Sequence, residues 1–281
     1  MLTTDEFEKW IEASHIMFEI FEGRYEIYPL ARKWIQNWFS SEVFLIEKED
    51  IERISNLFNK FDYEVYDVKE EELKKKINGQ LMNLLKNNFN EGINENIGFA
   101  VSSYLFTWNF QRFKKYFKKN ENFNVEYYFK SLGEFLKNER DKLNIFRNKK
   151  LVSDQIEREK IEEIFNEVNN KLREIGIGNN EPIGTIKLVH IFAPYYFPLI
   201  DNYIARATGV LRNSRWDSLE SDSYMRWMNA LKNWLQNYFD VIEEIERKYN
   251  SSILKLVDEG LYMMSTIKQR TRVAGLGIRV E

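Results

Sequence analysis

Residues 174–208 read EIGIGNNEPIGTIKLVHIFAPYYFPLIDNYIARAT, and the fold class turns on this stretch. Gly176, Gly178 and Gly184 cluster between an amphipathic segment at 154–175 and an apolar one at 183–193, with Pro182 placed where a helix can begin. The interval 174–182 therefore reads as a helix–turn–helix junction. A further short helix is expected at 202–208, opened by Asp201 and closed by Gly209.

The same periodicity extends in both directions. Phe7, Trp10, Ile11, Ser14, Phe18 and Phe21 recur at spacings of three and four, behind the capping pattern Thr3-x-x-Glu6, and predict a helix over 4–22. Pro29 can stand in the first turn of a second helix carrying Leu30, Trp34, Ile35 and Trp38. Helices are also predicted over 70–89, 98–119, 124–138 with Asn124 as cap, 222–239 and 252–271. Segments 43–46 and 63–68 look extended and flank a helical 49–59, which allows a minor two-stranded element near 43–68. The expected fold is all-α, in two helical subdomains.

Charge divides the chain more sharply than its net −3 suggests. Residues 1–99 hold 12 Lys/Arg against 20 Asp/Glu, whereas residues 100–150 hold 12 against 5. A boundary is therefore expected near Gly98, separating an acidic subdomain, 1–97, from a basic one, 98–281. Within the basic part, Phe106, Phe110, Phe113 and Phe117 form one stripe of a helix whose other face carries Arg112, Lys114, Lys115, Lys118 and Lys119. Such a face suits a nucleic-acid backbone; it also suits bulk water. Lys137, Arg140, Lys142, Arg147, Lys149 and Lys150 extend this basic neighbourhood, unless they pair with the chain's own acids.

Composition then removes whole classes of chemistry. The 281 residues include no cysteine and only two histidines, His15 and His190. Disulfides, thiolate nucleophiles and cysteine-held metal clusters are excluded, and no metal site or cofactor is expected. The N-terminus reads Thr3, Thr4, Asp5, Glu6, unlike a basic leader, and no apolar run approaches a membrane span. A cytoplasmic protein with no membrane partner is expected.

The remaining nucleophile of interest is Lys187. It lies among Ile183, Ile186, Leu188, Val189, Ile191 and Phe192, with His190 one turn away. Apolar surroundings lower a lysine's pKa and leave its neutral amine reactive. The competing reading has Lys187 snorkel to the surface or pair with a carboxylate. Asp201 likewise has two compatible roles: it caps the helix it opens, and capping fixes an ionised carboxylate beside the lysine-bearing helix. Arg206 can pair with Asp201 or meet a phosphate.

A glycine-containing helical hairpin, a lysine in the helix that follows, and Pro198-Leu199-Ile200-Asp201 opening the next helix resemble the catalytic block of helix-hairpin-helix DNA glycosylases. With Ala205-Arg206-Ala207-Thr208 after it, the block is most similar to the archaeal GO branch, which removes 8-oxoguanine. The resemblance covers roughly residues 170–210. Two spacings differ from the family's: Gly176-Ile177-Gly178 lies further upstream of Lys187, and the Lys187–Asp201 interval is shorter.

The resemblance implies a DNA partner and a damaged base flipped from the duplex. Lys187 would attack the sugar's anomeric carbon, and Asp201 would stabilise the cationic sugar. His190, Tyr195, Tyr196, Phe197 and Arg206 would bind substrate, with backbone N–H groups around Gly178 and Gly184 meeting a phosphate. Trp108 and Trp216 are further stacking candidates. The alternative is a non-enzymatic helical protein that binds nucleic acid or protein through its basic region.

Overall fold

Capping and apolar spacing fix the first helix as its sequence suggests. In α1, Thr4–Phe21, Glu6 N–H donates to Thr3 Oγ1 at 3.3 Å and Thr3 N–H donates back to Glu6 Oε2 at 2.8 Å. This reciprocal box satisfies N–H groups that a helix N-terminus leaves open. Phe7, Ile11, Ser14 and Phe18 are buried, whereas Phe21 is exposed at the frayed end of the expected stripe.

The structure is a computed structural model and describes residues 2–21, 27–40, 46, 49–50, 53–54, 75, 79, 96–108, 116, 119, 123–176, 178–211, 219–266, 276 and 278. Among these the fold is all-α: every regular element is a helix. The two-stranded element allowed near 43–68 lies outside the described residues, apart from Ile46, which is in no regular element, and Glu49, Asp50, Arg53 and Ile54, which are helical. The helix expected over 70–89 also lies outside them, except for the helical Lys75 and Gly79.

The chain forms two compact units. One comprises Met1–Arg24, Asp141–Asn170 and Asn180–Glu281; the other comprises Tyr25–Arg140 and Lys171–Asn179. The second unit contains α2, Tyr28–Ser40, α3, Asn96–Trp108, and α4, Val125–Asn138. In α2, Pro29 stands in the first turn, where its missing N–H costs no hydrogen bond. Asn124 caps α4, its Oδ1 accepting from Tyr127 N–H at 3.0 Å. α3 packs against both α2 and α4. Residues 97 and 98, the charge boundary in the sequence, lie in the first turn of α3.

The first unit is built around α1 and the later helices. These are the short α5, Arg140–Asn144; α6, Arg158–Ile175, whose last turn belongs to the second unit; α7, Pro182–Phe192; and α8, Asn202–Ala207. They are followed by α9, Ser221–Leu235; a 3₁₀ turn, Gln236–Tyr238; α10, Phe239–Tyr249; and α11, Ile253–Thr266. The sequence reading has one helix over 222–239 and none between it and the helix expected over 252–271. In fact the 3₁₀ turn breaks the run, and α10 continues to Asn250, which ends it in the left-handed conformation at φ 47°. Only Ile242 and Ile245 are buried on α10, too thin a stripe to stand out among its charges.

α11 packs on α1 and on α8. Gly260 permits the close approach to α1, because a Cβ there would stand 2.3 Å from the Trp10 ring. The α1 end of this core is aromatic: Phe7 stacks on Tyr238 at 4.0 Å and meets Trp234 edge-on at 5.5 Å. Such contacts add to the burial of large apolar area.

Candidate functional site

α7 is buried along its whole length, from Pro182 to Phe192, so its two polar long side chains turn inward. Lys187 is 6% exposed and His190 is fully buried. Burial rules out a solvent-directed Lys187. His190 Nδ1 donates to the Phe197 carbonyl at 2.6 Å, which fixes the tautomer and ties helix to loop.

That loop, residues 193–200, connects Lys187 to Asp201, and three successive carbonyls hold it. Phe197 O accepts from His190, Pro198 O accepts from the Tyr224 hydroxyl at 2.8 Å, and Leu199 O accepts from Trp227 Nε1 at 3.2 Å. Tyr224 and Trp227 are buried on α9. Buried carbonyls need donors, and donors drawn from two helices leave the loop little freedom. Asp201 then caps α8, its Oδ1 accepting from Ile204 N–H at 2.6 Å. Burial pushes its carboxyl up; the Ile204 N–H, the Lys187 charge and the Tyr203 N–H pull it back, without cancelling the rise.

α11 adds charged groups that the sequence reading passes over. Lys255 is 1% exposed, Glu259 3% and Asp258 6%, all on one short stretch of an otherwise apolar helix. Lys255 Nζ stands 3.0 Å from Glu259 Oε1 and 4.1 Å from the centre of the Phe18 ring. Glu259 Oε2 meets His15 Nδ1 of α1 at 2.8 Å. Asp258 is pushed up to about 7, chiefly by burial; Lys255 opposes the rise, Asp201 adds to it and Lys187 opposes it. Burial also works to raise Glu259, but Lys255 and His15 outweigh it and leave that carboxyl below its ordinary value.

The result is a buried charged cluster on α11, met at its edge by His15 of α1, with Lys187 of α7 and the half-buried Asp201 at the α8 cap acting electrostatically on Asp258. The signal for it was present in Lys255-x-x-Asp258-Glu259, because i, i+3 and i+4 share a helix face. Chemically, the pairing of a desolvated lysine with carboxyls of different proton affinity suits nucleophilic attack with proton transfer.

The other expected substrate residues fall elsewhere in the fold. Tyr196 is buried: its ring stacks on Phe146 at 5.4 Å, and its hydroxyl donates to Gln155 O at 2.7 Å and accepts from Glu157 N–H at 3.1 Å. Burial raises that hydroxyl to about 12. Phe197 closes the same cluster, 4.9 Å from Phe146. Tyr195 is half-buried and Arg206 is exposed on the last turn of α8. Gly184 is buried in α7. Gly178 adopts φ +77°, and its N–H donates to Arg173 O at 3.1 Å, so that donor closes the end of α6 instead of facing a phosphate.

Of the basic face, Lys119 is helical and exposed, while Arg112, Lys114, Lys115 and Lys118 lie outside the described residues, as does Trp216. The basic run that follows them is engaged within the chain. Lys142 meets Glu163 and Glu167 of α6 at 2.8 and 2.6 Å, Lys149 pairs with Glu157, and Lys150 reaches Glu243 and Glu246 of α10 at 3.4 and 3.8 Å. Arg140 donates to Trp38 O at 3.0 Å and lies over the Trp38 ring.

Among the described residues no group of His, Asp and Glu is arranged to hold a metal ion, and no helix is long and apolar enough to cross a membrane. Comparison of the chain with protein-family models, curated proteins and solved structures gave no match.

Proposed function

We propose that the chain is a lysine-dependent enzyme of the base-excision type, a DNA glycosylase/lyase-like protein acting on a flipped damaged base. One observation carries the reading: Lys187 is withdrawn from solvent, within electrostatic reach of the half-buried Asp201 and the buried Asp258, carboxylates held on separate elements. The DNA substrate rests on the resemblance of the 170–210 block.

In this reading the neutral Lys187 amine attacks the anomeric carbon as the bond to the base breaks. The departing base takes the bonding electrons and a proton. Asp201, fixed by its cap, stabilises positive charge on the sugar. Loss of a proton from the attacking nitrogen and opening of the sugar ring give a Schiff base, from which strand cleavage follows.

Borohydride trapping on duplex DNA containing 8-oxoguanine or an abasic site tests this directly. A covalent adduct that disappears in Lys187→Ala is the expected result. No adduct on either substrate overturns it. A second reading, a non-enzymatic helical protein that binds nucleic acid or protein through its basic region, has its own observation: Lys119 and Lys137 of that region are exposed. Salt-sensitive DNA binding without trapping selects a binding-only form of that reading.

A further inference from the structure

α1 and α11 meet through charged groups as well as apolar ones. Burial on α1 is confined to one stripe, Phe7, Ile11, Ser14 and Phe18, whereas α11 is buried without a break from Ile253 to Leu261. Two contacts join the helices through charges that are 1% and 3% exposed, those of Lys255 and Glu259. Glu259 Oε2 is 2.8 Å from His15 Nδ1. Lys255 Nζ, 3.0 Å from Glu259 Oε1, lies 4.1 Å from the centre of the Phe18 ring. One buried carboxylate is thus shared between a lysine of its own helix and a titratable ring of α1.

We propose that His15 and Glu259 form a pH-sensitive clasp, which holds α1 down on α11 while His15 carries a proton and lets it lift when the ring is neutral. The clasp is independent of the chemistry assigned to Lys187.

Glu259 keeps its charge in either state. Burial works against that charge, but Lys255 and His15 outweigh it. A protonated His15 therefore makes a charge-assisted hydrogen bond largely out of water, and a neutral ring makes one about half as strong. Because Lys255 remains beside Glu259, loss of the His15 charge does not strand the carboxylate. It weakens the hold on α1 and leaves the pair within α11 intact. A second feature favours local opening at the same contact. Trp10 Nε1 of α1 is buried without a hydrogen-bond partner among the described residues, and its ring lies against Gly260. Lifting α1 hydrates that donor and offsets part of the apolar burial lost.

His15 faces Glu259 and Lys255 of α11, Glu19 of its own helix, and the edge of the Tyr249 ring of α10 at 4.9 Å. The exposed pair of Lys248 and Glu12, 3.5 Å apart, also joins α10 to α1. The hydrogen bond to Glu259 is the main reason the proton affinity of His15 is raised, and burial opposes it. Docking that raises proton affinity is in turn favoured by protonation. The clasp is complete below the ordinary 6.5 of His15 and is lost as pH climbs past its docked value.

The chain has no cysteine, so one introduced thiol reports on one place. Ser14→Cys puts it on the buried stripe of α1, and Ala230→Cys puts a control on the buried face of α9. Labelling rates are divided by those of an unstructured cysteine peptide at the same pH, which removes the titration of the thiol itself. Protection at position 14 is expected to be lower than at position 230, because α1 lifts without global unfolding. From pH 5.5 to pH 8.5 it is expected to fall about fivefold, the ratio that a halved charge-assisted hydrogen bond gives. The fall should span the range in which the His15 imidazole titrates by NMR. In His15→Gln, which keeps a neutral donor, it should vanish. Hydrogen exchange of the α1 amides, normalised to α9, gives the same readout in the unsubstituted chain and His15→Gln without an added thiol. No fall in wild type, a fall that survives His15→Gln, or equal protection at positions 14 and 230 overturns the clasp.

Discussion

Lys142 and Lys187 belong to the same compact unit, yet they hold their charge in opposite ways. Lys142 is 39% exposed and sits between two carboxylates of α6 at hydrogen-bonding distance. Lys187 is 6% exposed on a helix buried throughout. Water weakens the first set of interactions several-fold relative to the second, since Coulomb energy scales inversely with the effective dielectric. Charge density along the chain draws attention to 137–150; burial singles out the charged groups of α7 and α11 instead. Lys142, Lys149 and Lys150 of that run meet carboxylates of the chain itself.

The sharpest way to break the comparison is to remove a buried cation. Lys255→Met keeps the length of the side chain and deletes its charge, leaving Glu259 without the cation 3.0 Å away and Asp258 without its main counter-charge. Loss of one partner from a buried ion pair costs about 3–5 kcal/mol. Urea denaturation at pH 7 measures it. A loss below about 1 kcal/mol, the range of exposed pairs, would place α11 with the surface lysines and remove the distinction.

A second expectation concerns pH. Asp258 has its proton affinity raised from an ordinary 3.8 to about 7 in the folded chain. Between those values the folded state binds more protons than the unfolded one, so stability falls as pH rises through the window. His15, also raised on folding, acts in the same direction: its contribution is complete below its ordinary 6.5 and is lost as pH climbs past its folded value. Thermal melts from pH 5 to pH 8.5 are therefore expected to show a falling midpoint. Asp258→Asn should flatten most of that slope and be the more stable form at pH 8. A wild-type midpoint that rises over this range would contradict the burial of an ionisable Asp258.

Much of the fold could be read from the sequence, because its signals are local. Thr3 with Glu6, Asn124, Pro29 and the glycines after Ile175 each act within a few residues, and the helices begin or end there. Asp201 as a cap belongs to the same kind. The site was half legible. Lys187 stood out as one charge in an apolar helix, but its surroundings come from residues far away in the chain: His15 meets Glu259 across a sequence separation of 244, and Tyr224 meets Pro198 across 26. No periodicity encodes such pairings. Tyr196 and Phe197 show the same dependence on tertiary contacts, since both rings pack against Phe146, some fifty residues earlier in the chain.

A smaller effect separates the two roles of Asp201. Asp201→Ala removes the acceptor of the Ile204 N–H and is expected to cost about 1 kcal/mol. Asp201→Asn keeps a good cap and deletes the charge beside Lys187, so its stability should stay within a few tenths of a kcal/mol of wild type. Trapping on abasic DNA should nevertheless be lost in both. If Asp201→Asn traps normally, the carboxylate serves the helix and not the reaction.

The smallest effect should come from Lys142→Ala. Its pairs with Glu163 and Glu167 are short, at 2.8 and 2.6 Å, and distance alone would rank them with the Lys255 pair. Exposure argues otherwise. Glu163 and Glu167 stand one turn apart on α6 and retain 53% and 34% of their side-chain exposure, so water and salt can solvate both once the lysine is gone. At physiological ionic strength the screening length is about 8 Å, and exposed pairs of this kind contribute about 0–1 kcal/mol. The remaining like charges at i, i+4 add only tenths of a kcal/mol of repulsion. Denaturation of Lys142→Ala beside Lys255→Met, each at low and high salt, therefore tests whether burial or contact distance governs the charges of this fold. Equal losses would show that distance does; a several-fold larger and salt-insensitive loss for Lys255→Met is the expected outcome.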